Sequence, residues 1–191
     1  PDVRPCELLA TFQGGLFPEC IAFDGAGNAY ISSMLHGDIL RRTPRGDVDV
    51  IVHIDLNLGD LLMCLVFDTE RTFYVGVQST SPNLAGVWHF DTAGKGRRIA
   101  SLPIHAEPNG IALDDAGCVY VADSGLGTIW RLQPGATQVD AWLVDALLAR
   151  RPVVGFVPGA NGLQIRRQEM FVTNSDSGNL LKIAIGRDGG P

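Results

Sequence analysis

The sequence predicts an all-β fold of the β-propeller type, with about four blades in this chain. Three observations predict it. One pattern returns four times along the chain, each copy alternates at period two, and Gly, Asn and Asp separate the runs. The copies read PECIAFDGAGNAYISS from Pro18, LMCLVFDTERTFYVGV from Leu62, PNGIALDDAGCVYVADSG from Pro108 and ANGLQIRRQEMFVTNSDSG from Ala160. Their shared apolar landmarks, Phe23, Phe67, Leu113 and Ile165, stand 44, 46 and 52 residues apart. Leucine-rich and ankyrin repeats are shorter, and helical repeats of this length need a 3.6-residue period that these segments lack.

Within each unit the alternation places strands in turn. The first unit, 16–53, has them near 19–23, 28–33, 37–42 and 47–53. The second, 60–102, has them near 62–67, 72–77, 86–91 and 97–102. The third, 107–143, has them near 109–113, 118–122, 127–132 and 138–143. The fourth, 160–187, has three, near 161–165, 169–173 and 179–185. All four units belong to one partial propeller domain spanning 1–191. Asp24, Asp68, Asp114 and Asp115 recur where the first hairpin must turn, and read as turn formers. One stretch, Val139–Arg150, has a helix-like spacing of Trp142, Leu143, Ala146 and Leu147. Its first half reads as the outer strand of the third unit and the rest as a short helical connector. The run Cys6–Gln13 precedes the first unit, where a closed propeller commonly keeps a strand that completes its last blade.

Composition narrows the function classes. Of 191 residues, 46% are apolar and 19% charged, a globular balance. Fifteen basic residues against 21 acidic ones leave a net charge of −6, with no basic cluster, so nucleic acid is not the expected partner. No apolar run reaches the length that spans a membrane. Gly 23 and Pro 11 make a turn-rich chain and argue against a helical bundle. The four cysteines, Cys6, Cys20, Cys64 and Cys118, form no CxxC, and Cys64 and Cys118 lie in apolar runs. They read as small hydrophobes in a reducing, cytoplasmic setting. His36, His53, His89 and His105 are scattered, and no HExxH, GxSxG or phosphate-binding Gly loop occurs.

The start of the innermost strand in each blade rings one mouth of a propeller. Glu19, Met63, Asn109 and Asn161 hold equivalent places there. Carboxylate and amide oxygens without thiolate or imidazole suit a hard divalent cation. The same residues also fit plainer roles: Asn109 and Asn161 as turn residues, Glu19 as a solvated loop acid. Asp123, in Asp123-Ser124-Gly125, and Asn174, in Asn174-Ser175-Asp176-Ser177-Gly178, read as channel-facing or hairpin-turn groups.

FPECIAFDGAGNAYIS, EPNGIALDDAGCVYVADSGLGTIWRL and GANGLQI followed by MFVTNSDSGNLLKI resemble the senescence-marker-protein/gluconolactonase/luciferin-regenerating-enzyme-like family, over roughly 16–187. The resemblance implies a propeller of the six-bladed type. Six blades need about 280 residues, so this chain is expected to be a fragment of a longer one, or to close by self-association through its open blade edges. It also implies a metal-dependent lactonase-like hydrolase that opens sugar or related lactones. One divalent ion (Ca²⁺, Mg²⁺, Mn²⁺ or Zn²⁺) would be held by Glu19 and Asn161, with Asn109 in the substrate pocket. If the blade count slips by one, Asn109 becomes the metal ligand. Met63 and the Asp123 and Asn174 groups would line the pocket for a small lactone-like ligand. The family's third ligand, an Asp of a later blade, would fall after Pro191, so the site is expected to be weak and the chain alone to hydrolyse little. The alternative is a non-catalytic propeller that binds a partner across its mouth.

Overall fold

In a computed structural model, which describes residues 6–12, 14–68, 71–151 and 157–191, alternating apolar residues build fifteen antiparallel strands in four sheets. The first sheet holds β1 (Pro18–Phe23), β2 (Ala29–Ser33), β3 (Asp38–Arg42) and β4 (Val48–His53) in sequence order. The second holds β5 (Leu61–Phe67), β6 (Thr72–Gln78), β7 (Gly86–Asp91) and β8 (Gly96–Ser101). The third holds β9 (Pro108–Leu113), β10 (Val119–Asp123), β11 (Thr128–Leu132) and β12 (Asp140–Val144). The fourth has three strands, β13 (Ala160–Arg166), β14 (Glu169–Asn174) and β15 (Asn179–Ala184). These are the strands that the period-two pattern predicts, displaced by a residue or two.

Two expectations are corrected. The stretch after β12 is a turn and not a helical connector: Leu148 N donates to Asp145 O at 3.0 Å and Ala149 N to Ala146 O at 3.3 Å. Asp145 caps the turn through Leu147 N; of the spaced residues, Trp142 and Leu143 belong to β12, Ala146 and Leu147 are exposed, and Leu148 is the buried side chain of the turn. Residues 6–12 form no strand; Gln13 lies outside the described residues.

Two of the hairpin aspartates, Asp24 and Asp114, act as the sequence suggests. Asp24 Oδ1 accepts Ala26 N and Asn28 N, and Asp114 Oδ1 accepts Ala116 N and Cys118 N. Gly27 and Gly117 take the same left-handed φ of +81°, which glycine adopts without steric cost.

The sheets pack face to face as blades. β1 packs along β5, β5 along β9 and β9 along β13, so these are the inner strands. No packing of comparable extent joins β13 back to β1. Three buried clusters fill the gaps between successive blades. Leu65 joins Tyr30 and Ile39, Ile111 joins Val87, and Leu163 joins Tyr120 and Ile129.

Each inner strand breaks register at the same repeat position. The shifts fall between Pro18 and Ile21, Leu62 and Leu65, and Ala160 and Leu163, and opposite Ala122/Asp123 in β9. These are β-bulges, which bend a strand and re-aim its side chains. The second bulge residue is Cys20, Cys64, Gly110 and Gly162 in turn. Cys20 Sγ accepts Leu65 N at 3.4 Å, and the Cys64 thiol donates to Pro108 O at 3.7 Å. At Gly110 blades three and four come closer still: an added Cβ would lie 2.2 Å from Asn161 O. Gly162 has only Thr173 Oγ1 near, at 3.1 Å.

Outside the inner strands, a carboxylate–phenol pair recurs. Tyr30 Oη donates to Asp24 Oδ2 at 3.2 Å and Tyr120 Oη to Asp114 Oδ2 at 3.1 Å. Burial first, then the Asp114 carboxylate, pushes the Tyr120 hydroxyl up to about 12. Tyr30 and Tyr74 are raised by burial and by Asp24 and Asp68 respectively.

Two predictions follow from this packing. Gly110→Ala should destabilise the chain by about 1–3 kcal/mol or more through overpacking against backbone, whereas Gly162→Ala should change stability far less; urea unfolding of the two variants measures the difference. A folded state that binds the phenolic proton more tightly keeps its full contribution below the ordinary tyrosine value of 10 and loses it as pH rises toward about 12. Stability should therefore fall over that interval, and Tyr120→Phe should make the fall shallower in unfolding curves taken from pH 8 upward.

Candidate functional site at the inner-strand bulges

The four mouth residues singled out by the repeat are the first residues of the four bulges. Glu19, Met63, Asn109 and Asn161 thus occupy one position on consecutive inner strands. Contacts of the second bulge residues with the next blade, from Cys20 to Leu65, Cys64 to Pro108 and Gly110 to Asn161, hold these positions at one level.

Their environments differ. Glu19 is exposed and has no hydrogen bond or ion pair among the described residues. Its charge is close enough to oppose ionisation of both Cys20 and Cys64. Met63 is buried, 6% exposed. Asn109 is half-buried and makes no side-chain hydrogen bond among the described residues. Asn161 Nδ2 donates to Ser175 Oγ at 2.9 Å, which fixes the amide and leaves Oδ1 outside that bond. One carboxylate and two amide groups thus stand with oxygens uncommitted at the starts of β1, β9 and β13, the last two adjacent and the first separated from them by β5; such oxygens are of the type that suits a hard cation.

Asp123 and Asn174 are buried at the ends of β10 and β14, opposite Pro108 and Ala160, the residues just before two of the bulges. Asp123 Oδ1 accepts Glu107 N, Gly125 N and Leu126 N at 2.9, 2.9 and 3.0 Å, and Oδ2 accepts Trp130 Nε1 at 2.8 Å. Asn174 Nδ2 donates to Leu147 O and Ala149 O, and its Oδ1 accepts Ser177 N. Asp123 ties the residue entering β9 to the β10–β11 turn, and Asn174 ties the stretch after β12 to the β14–β15 turn.

Two further groups beside the mouth escape sequence reasoning. Glu107, two residues before Asn109, receives Arg150 Nη1 on both carboxylate oxygens at 3.0 and 2.9 Å. The pair borders a cleft of about 270 Å³ between blades two and three, lined by Gln78, Ser79, Thr80 and His105. The Glu immediately ahead of the Pro-Asn-Gly triplet and the Arg150-Arg151 pair were its visible signals. Arg151 in turn binds Asp176, which its guanidinium holds below the ordinary carboxylate range.

The cysteines are all free. Burial pushes the Cys20 thiol up and the Cys64 thiol well up, so both stay protonated and apolar in character. Among the described residues no group of three or more His, Cys, Asp or Glu is arranged to hold a metal ion. No helix among them is long and apolar enough to cross a membrane.

No protein-family model matches the chain, and no curated protein sequence does. Solved structures do. The computationally designed Ika4 protein aligns with a TM-score of 0.60 at 16% identity, over 95% of this chain and 100% of its own. Virginiamycin B lyase from Staphylococcus aureus aligns at 0.57 and 13% identity, over 90% of this chain and 57% of its own. A protein of unknown function from Bacteroides thetaiotaomicron aligns at 0.63 and 16%, over 86% and 46%. The fold is a β-propeller arrangement of four blades. The chain spans about half the length of these two natural proteins. At these identities the likeness concerns the fold alone.

The propeller's polar base yields one prediction. Asp123→Ala strands three backbone donors and an indole N–H, and should destabilise by on the order of 2–5 kcal/mol. Asn161→Ala removes one exposed hydrogen bond and should cost under about 1 kcal/mol. Chemical unfolding of both variants checks the contrast.

Proposed function

We propose that the chain carries the binding half of a metal-dependent lactonase-like hydrolase. The observation that supports this most directly is the coincidence of the oxygen-bearing residues Glu19, Asn109 and Asn161 with equivalent bulges on three inner strands. Glu19 brings the only charge of the set, and its carboxylate accepts no hydrogen bond among the described residues. Asn161 presents an amide oxygen whose orientation the bond to Ser175 fixes. These two residues would hold a divalent cation, and water or a segment outside this chain would complete its shell. When bound, such an ion polarises a carbonyl and lowers the pKa of a bound water. Asn109 donates to or accepts from a hydroxyl of the ligand. Met63, packed in the core between blades two and three, leaves the second bulge without an oxygen donor and borders the site only by its apolar edge. A small lactone, a neutral ring with a polarisable ester and several hydroxyls, matches a site of hard oxygens beside one thioether.

The thermal midpoint in the presence of Ca²⁺, Mg²⁺, Mn²⁺ or Zn²⁺ tests the reading. At least one ion at millimolar concentration should raise it, since a ligand that binds only the folded state stabilises that state. Glu19→Gln should abolish the rise without lowering the metal-free midpoint. A wild-type midpoint indifferent to all four ions, or a rise that survives Glu19→Gln, overturns the assignment.

A further inference from the structure

Strand register makes equivalent residues explicit in the outer half of each blade. Tyr30, Tyr74 and Tyr120 on the second strands stand opposite Arg41, His89 and Arg131 on the third. Those in turn stand opposite Asp49, Arg97 and Asp140 on the fourth. Blades one and three use the last two places for an ion pair. Arg41 Nη2 reaches Asp49 Oδ2 at 3.0 Å, and Arg131 Nη2 reaches Asp140 Oδ2 at 3.5 Å. Blade two departs from this. An imidazole replaces the first guanidinium, and a guanidinium, Arg97, replaces the carboxylate. Arg97 is exposed and makes no hydrogen bond or ion pair among the described residues.

The exchange faces a cleft of about 370 Å³ between blades two and three, at the end of the strands opposite the bulges. Blade two lines it with Tyr74, His89, Arg97 and Arg98, and the β11–β12 hairpin of blade three with Gln133 and Thr137. No carboxylate is in the lining. Arg98 Nη1 donates to Pro82 O and to Ala85 O, so Arg97 brings the uncommitted guanidinium. Gln133 and Thr137 make no side-chain hydrogen bond among the described residues. The His89 ring stacks on Tyr74 with centroids 4.5 Å apart, and its Nε2 lies 3.3 Å from Asp68 Oδ2. An ionised carboxylate only accepts, so Nε2 carries a proton there. His89 Nδ1 has no partner among the described residues. On the other side of Arg97 and His89, Lys95 and Asp91 offset each other in charge.

We propose that this cleft binds a small phosphate monoester. Arg97 takes the phosphate on its guanidinium fork, whose N–H groups match phosphate oxygens. Gln133 and Thr137 donate from the facing hairpin. His89, as the imidazolium, offers Nδ1–H, and Asp68 balances its charge from Nε2. Four donors from three segments exceed what the two oxygens of a carboxylate need, and suit the three terminal oxygens of a phosphate ester. The stacked Tyr74 and His89 rings, with Leu132 and Pro134 across the cleft, take the apolar body of the ligand. The site is independent of the metal reading, since it lies at the other end of blades two and three.

Calorimetric titration with phenyl phosphate, in buffer free of phosphate and divalent metal, tests it. One equivalent should bind. Benzoate, with the same ring and a carboxylate, should bind at least about tenfold more weakly. Arg97→Gln should weaken phenyl phosphate by about tenfold or more. His89→Arg/Arg97→Asp rebuilds the ion pair of blades one and three, so circular dichroism should show it folded, and it should abolish binding. Arg166→Gln, which removes an exposed guanidinium on blade four, should leave the affinity unchanged. Absence of saturable binding to the wild type overturns the proposal. So does benzoate binding as tightly as phenyl phosphate, or a folded double variant that still binds. An equal loss in Arg166→Gln overturns it too, as the mark of general charge attraction.

Discussion

The close approach of successive inner strands at the second bulge residue is the constraint on which the remaining structure depends. A bulge at one repeat position throws that residue toward the next blade. The gap there admits a thiol at Cys20 and Cys64 and no side chain at all at Gly110. Small, weakly polar groups are required because the neighbour is backbone: a sulfur can accept an N–H or donate to a carbonyl, and glycine can move aside entirely. This contact sets blade spacing near the axis, and it fixes the level at which the first bulge residues stand. Placement of Glu19, Met63, Asn109 and Asn161 is therefore a by-product of how the blades dock.

Beside the bulges stand polar side chains whose hydrogen bonds are made within the protein. Asp123 and Asn174 satisfy backbone groups of the loops around the mouth, and Glu107 is tied to Arg150. A buried carboxylate with four donors is a rigid support, because releasing any of them leaves a polar group without a partner. Such a base suits a binding site that must hold several weak oxygen donors in fixed positions. Among the described residues, Glu19 and Asn109 make no side-chain hydrogen bond, in contrast to that satisfied support.

The same repeat that builds the interior also shows where one blade departs from its siblings. The fourth blade has exchanged a carboxylate–tyrosine pair for Arg166 and Phe171. A buried phenol needs its acceptor and a phenyl ring does not, so the two changes are one change physically.

The sequence by itself determined the strands, their grouping and the aspartate-capped hairpins, because period-two alternation and turn chemistry act over a few residues. It also determined which residues share the mouth position, since equivalence in a repeat is a matter of counting. Tertiary structure alone decided what those residues do. At three of the four bulges the second residue faces the next inner strand, a contact that only the packed blades reveal. Asp123 and Asn174 look in sequence like channel-facing or turn groups, and become supports only when Glu107, Trp130, Leu147 and Ala149 arrive from other segments. The apolar spacing after β12 suggested helix, yet one buried leucine and an aspartate cap settle for a turn. Glu107 and Arg150 lie 43 residues apart and become a pair only across blades. Local pattern records the backbone's preferences, and the partners of a polar side chain are set by segments too distant for that pattern to see.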